Sequence, residues 1–179
     1  MTRLKYIAKC VTSMHPSEDR RGGESDYNVQ IEFAEETCAE VESLMARIEA
    51  ARGLVESSNS SPSEKSDLER ARDELAATLR FKVKLLRSSL NRLGEERSLS
   101  DRTVSLLQRE LGKERGMLTI EKQFSENRER EYLAQIRIGR LSKELTLQQS
   151  RARAIGEALD LFGPVLEKAT VAAAPAIAK

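Results

Sequence analysis

The chain has 179 residues, of which 33% are charged and only 4% aromatic, with no tryptophan, so bulky side chains are too few for a deep globular core. Lys and Arg total 30 against 29 Asp and Glu, and a net charge of +1 selects neither nucleic acid nor a membrane surface. One histidine and two cysteines leave little material for metal or nucleophile chemistry, and no run approaches the roughly 18 apolar residues of a membrane span.

The first segment is basic, with Arg3, Lys5 and Lys9 and no acid before Glu18, but it lacks the apolar core of a secretory signal. Tyr27, Val29, Ile31 and Phe33 alternate with Asn28, Gln30 and Glu32, the period of a strand buried on one face. Leu4, Tyr6, Ala8 and Cys10 offer a weaker partner strand, with His15-Pro16 and Arg21-Gly22-Gly23 as turn chemistry between them. Residues 1–33 are therefore expected to form a β-hairpin head; an amphipathic basic helix over 2–14 is the rival reading.

From Ala34 the period becomes helical. Val41, Leu44, Ile48, Ala51 and Val55 step by three and four residues, with Cys38 and Met45 beside them, predicting an amphipathic helix over 34–56. This helix is acidic: Glu32, Glu35, Glu36, Glu40, Glu42 and Glu49 stand against Arg47 alone between positions 32 and 50. Residues 57–66 (SSNSSPSEKS) read as a Ser/Pro linker.

Residues 67–163 carry two coiled-coil ladders. Leu79, Val83, Leu86, Leu90, Leu93, Arg97, Ser100, Val104, Leu107 and Leu111 form the first. Met117, Ile120, Phe124, Asn127, Glu131, Ala134, Ile138, Leu141, Leu145, Gln148, Ala152, Ile155, Leu159 and Phe162 form the second, and its apolar members are the expected packing and oligomer seam. Off this stripe, Leu133, Ile136, Leu147 and Leu161 widen the apolar face and point to self-association.

The ladders do not share one register: continuing the first from Leu111 gives rungs at 114 and 118, while the second occupies 117 and 120. Gly112 and Gly116 bracket this slip, and glycine ends a helix well, so an antiparallel helical hairpin turning at 112–116 is expected. Two other arrangements fit the same residues. The polar stretch 94–103 could hold the turn, or one helix could run through 112–116 with a register defect in a parallel oligomer. Phe162-Gly163-Pro164 is expected to stop the last helix and leave 164–179 as an Ala/Pro tail.

No catalytic constellation is present, so the chain reads as a non-enzyme with no cofactor, metal or small-molecule substrate. Cys10 and Cys38 lack metal or redox spacing, and the expected setting is the cytoplasm or an assembled particle, without export by a signal peptide.

The sharper signal is the distribution of charge. Arg80, Lys82, Lys84, Arg87 and Arg92 form one basic stretch, and Arg137, Arg140, Lys143, Arg151 and Arg153 form another. A turn at 112–116 would bring Arg92 near position 136 and Arg80 near position 148, fusing the two into one basic band. The band could bind nucleic acid, flank a coiled-coil seam, or be covered by the acidic helix 34–56 folding back over it. Taken together, the sequence reads as a mainly α coiled-coil subunit, structural or adaptor, that sets spacing in an assembly and recognises partner helices or further copies of itself. A nucleic-acid-binding accessory or scaffolding protein is the alternative.

Overall fold

The computed structural model describes residues 25–57, 62–124 and 128–174, with side chains given for most of them. Three helices account for these residues: α1 (Ser25–Ser57), α2 (Pro62–Phe124) and α3 (Arg128–Ala172). No strand occurs among the described residues. The mainly α class holds, and several finer expectations require correction.

The expected strand at 27–33 is the first turns of α1. Tyr27 and Ile31 lie part-buried and lead into buried Ala34, Cys38 and Val41, extending the three-four stripe toward the N-terminus. Val29 and Phe33, which completed the alternation, are about half exposed at 55% and 47%. Adding turns to an existing helix gains a hydrogen bond for each residue fixed, whereas a strand needs a partner to satisfy its backbone. The proposed partner strand at 4–10, and the rest of the head before residue 25, lie outside the described residues.

The linker also shortens, because α2 begins at Pro62. Proline suits the first helical position, where its missing N–H would have had no partner, and Glu64 in the first turn complements the helix dipole.

The turn expected at 112–116 does not exist: α2 runs unbroken through Gly112 and Gly116 to Phe124. The first ladder simply continues past Leu111, with Glu114 and Leu118 part-buried, while Met117 and Ile120 are exposed. A sustained seven-residue repeat outweighs two glycines, each costing about 1 kcal/mol relative to alanine in a helix. Space is open around the Cβ positions of both Gly112 and Gly116. Gly112→Ala and Gly116→Ala are each expected to raise stability by about 0.5–1 kcal/mol, read as a higher urea midpoint. Gly156→Ala should gain less, since its Cβ would stand 3.1 Å from Cζ of Arg97.

The last helix likewise continues through Gly163 and Pro164 to Ala172. Phe162, Ala169 and Ala173 are buried and Leu166 is part-buried, so the apolar stripe persists beyond the proline. That burial offsets a proline penalty of about 3 kcal/mol.

The chain divides into two compact units. In one, residues 94–124 of α2 and 128–156 of α3 form an antiparallel hairpin. Lys122 pairs with Glu131 at 3.4 Å beside the 125–127 connection, and Arg151 pairs with Glu96 farther along the arms. Its seam holds Leu111, Ala134 and Ile155, with Ser100 and Gly156 also buried and Arg97 lying across Gly156.

The other unit holds α1, residues 62–93 of α2 and residues 157–172 of α3. Leu79, Val83, Leu86, Leu90 and Leu93 line its core with Val41, Ala158 and Phe162, all buried. Glu40 of α1 meets Lys82 of α2, at positions similarly far from the 58–61 connection, so α1 and α2 run antiparallel. Thr37 donates its hydroxyl hydrogen bond to the Phe33 carbonyl at 2.8 Å, which satisfies a polar group within the buried stripe.

Candidate functional site

The two basic stretches fall in different units. With the connection at 125–127, residues 80–92 pack beside the C-terminal part of α3 in one unit, where Arg87 donates a 3.2 Å hydrogen bond to the Thr170 hydroxyl. Arg137, Arg140, Lys143, Arg151 and Arg153 belong to the other unit.

Within the three-helix unit, α1 covers only part of its basic stretch. Lys82 pairs with Glu40, while Arg80, Lys84, Arg87 and Arg92 remain exposed. Arg80, Lys84 and Arg87 line an open groove with Phe81, Thr170 and Ala173.

Cys38 sits on the inner stripe of α1 at 6% exposure. Burial, helped by the carboxylates of Glu42 and Glu35, pushes its thiol up to about 11. The folded value lies above the ordinary 9.0, so the protonated thiol's contribution to stability is complete below about pH 9 and is lost as pH rises to about 11. In a Cys10→Ser background, Cys38 is expected to react with a disulfide reagent at pH 8 far more slowly than in the denatured chain. A native rate equal to the denatured rate would contradict its placement on the core side of α1.

The expected seam residues fall into three groups. Ile155 and Phe162 are buried, and Ile138, Leu141, Leu145 and Leu159 are part-buried along α3. Met117 and Ile120 instead face outward, 48% and 59% exposed, because the continuous α2 keeps the first ladder's register. Phe124 closes α2, and its side chain lies outside the described residues.

One side of the two-helix unit carries large, partly exposed apolar side chains, with charged Glu96, Glu110, Arg137, Glu144 and Arg151 at the g positions beside them. With the core positions of each ladder labelled a and d of a heptad, Leu99, Leu106 and Ile120 fall at c and Met117 at g on α2. Leu133 and Leu147 fall at c on α3. In an antiparallel pair, reversing one helix puts g beside g, so these positions of both arms share one side of the hairpin. All six side chains are between 37% and 59% exposed.

The e and b positions on the other side are mostly polar, with Ser98, Asp101, Ser105 and Gln108 on α2 and Gln135, Ser142, Thr146 and Gln149 on α3, although Tyr132 at b is 63% exposed. Leu99 and Leu106 were missed by the ladder reading because they stand beside the core stripe. The signal that marks them is that Leu99 and Leu106 stand seven residues apart and Ile120 fourteen residues further on, all at one heptad position.

Among the described residues, no group of three or more His, Cys, Asp or Glu is placed to hold a metal ion. No described helix is long and apolar enough to cross a membrane. Comparison with family models, curated proteins and solved structures finds no match for the chain.

Proposed function

We propose that this chain is a non-enzymatic coiled-coil subunit, structural or adaptor, that recognises partner helices in a larger assembly. The observation that carries this reading is the set of large apolar side chains left partly exposed along both arms of the two-helix unit. Leu99, Leu106, Ile120, Leu133 and Leu147 stand at c and Met117 at g, all between 37% and 59% exposed. Large apolar side chains repeated along a helix face at heptad spacing are suited to packing against a further helix.

The test is absolute mass by light scattering across a concentration series, together with capture of partners from the native source. Self-association, or a stoichiometric partner lost on replacing Leu106 and Leu133 by Gln, supports the reading. A monomer at every concentration that captures nothing contradicts it.

A second reading is supported by the exposed cluster of Arg80, Lys84 and Arg87, which α1 leaves open. Such a cluster could neutralise nucleic-acid phosphates. It requires duplex affinity that falls steeply with salt and is reduced by Arg80→Gln and Lys84→Gln together.

A further inference from the structure

We infer that the groove between α2 and the C-terminal part of α3 in the three-helix unit binds single-stranded nucleic acid, with phosphates on Arg80, Lys84 and Arg87 and a base stacked on Phe81. The inference rests on the phosphate-binding reading of this cluster given above and specifies the strand: one whose bases are free.

The first argument is uncompensated charge. Arg80 and Arg87 fall at e and Lys84 at b on α2, so the three share one side of the helix within about 10 Å along its axis. Like charges three and four residues apart destabilise a helix. Lys82, between them in sequence, falls at g and pairs with Glu40 of α1. Among the described residues, none of Arg80, Lys84 and Arg87 pairs with a carboxylate. The acids nearest in sequence on the two helices are Asp73, taken by Arg72, and Glu74 and Glu167, which do not line the groove.

The second argument is how Arg87 is held. Its guanidinium donates to the Thr170 hydroxyl at 3.2 Å, and that hydroxyl donates to the Leu166 carbonyl at 2.7 Å. This neutral chain fixes the cation across the groove and keeps its remaining N–H donors for an anion.

The third argument is the aromatic ring. Phe81, 59% exposed, borders the same groove, whose lining includes buried Val83 and Ala173 and whose volume is about 570 Å³. An exposed ring beside a row of cations is the pairing that holds single strands: a base stacks on the ring while the backbone follows the charge. At about 3.4 Å per phosphate in a stacked strand, the row spans about three phosphates. A duplex hides its base faces inside the stack, so the ring would add nothing to its binding. An acidic peptide supplies the charge but no base for the ring.

The test is fluorescence anisotropy of the full-length chain with labelled probes of about 12 nucleotides, an oligothymidine, an abasic strand and a duplex, beside a polyglutamate peptide. Oligothymidine is expected to bind at least about fivefold more tightly than the abasic strand. Phe81→Ala should remove that difference and leave the abasic strand's affinity unchanged. For three phosphate contacts the logarithm of affinity should fall against the logarithm of salt with a slope of about −2, and Arg80→Gln with Lys84→Gln should reduce the slope to about −0.7. Arg80, Phe81 and Lys84 are exposed, so both variants are expected to keep the parent's helicity and urea midpoint.

Equal affinity for oligothymidine and the abasic strand, or Phe81→Ala binding oligothymidine as well as the parent, overturns the inference. So does polyglutamate bound as tightly as oligothymidine, which would make the groove a general anion site. A duplex bound at least as tightly as oligothymidine, and weakened by Arg80→Gln with Lys84→Gln, also overturns it. In that case the phosphate-binding reading of the cluster stands while the single strand falls. No binding of any strand at about 100 µM in low salt removes both.

Discussion

Leu86→Ala is expected to lower the unfolding free energy by about 2–5 kcal/mol, whereas Ile120→Ala changes it by less than about 0.5 kcal/mol. Both residues belong to heptad ladders, and their spacing alone gives them equal standing. Their environments differ: Leu86 is fully buried among three helices, and Ile120 is 59% exposed. Removing the Leu86 methyls leaves a cavity that its packed neighbours can fill only in part. Urea titration at low protein concentration, where no second chain covers Ile120, separates the two outcomes. Equal losses would restore the ladder beginning at Met117, and with it a turn at 112–116.

The second large effect concerns the same stretch from the backbone side. Arg115→Pro is expected to cost about 3 kcal/mol or more, because the ring removes a helical hydrogen bond and clashes with the carbonyl four residues earlier. Residue 115 lies well inside α2, which extends from Pro62 to Phe124. A turn at that position would accept proline with little loss. An Arg115→Pro chain with an unchanged urea midpoint would therefore contradict the continuous helix. Gly116→Ala gives the opposite sign at the neighbouring position, so the pair distinguishes a helical backbone from general sensitivity of the segment.

The stripe Ala34, Cys38, Val41, Leu44 is legible because a helix writes its buried face at intervals of three and four. It could have been followed back to Tyr27, but over seven residues the alternation of Tyr27, Val29, Ile31 and Phe33 fits a strand equally well. Short apolar runs do not distinguish these periods, and only the continuation into buried Ala34 and Cys38 decides it. Glycine and proline misled for a related reason. Each carries a local cost of about 1–3 kcal/mol, but the apolar burial that offsets it is spread over many residues. Gly112, Gly116 and Pro164 thus read as stops, while Leu111 and Leu118 on one side, and Phe162, Leu166 and Ala169 on the other, hold the helices together.

The candidate surface was only half legible. Leu133 and Leu147 stand visibly off the stripe, but the spacing of Met117 and Ile120 places them in the seam, and Leu99 and Leu106 belong to neither ladder. Moving the connection from 112–116 to 125–127 changes which residues face each other along the arms. Arg151 consequently meets Glu96, and Arg87 meets Thr170.

The sequence by itself determined the helical class, the identity of the core ladder from Leu79 to Leu111, and the acidity of α1, because periodicity and local charge are properties of neighbouring residues. The tertiary structure alone decided where the hairpin turns, that the two basic stretches belong to different units, and that α1 meets Lys82 while leaving Arg80, Lys84 and Arg87 exposed. Those outcomes depend on pairing between distant segments. A heptad repeat fixes which face of a helix is buried; burial shared among the helices selects the register in which those faces meet.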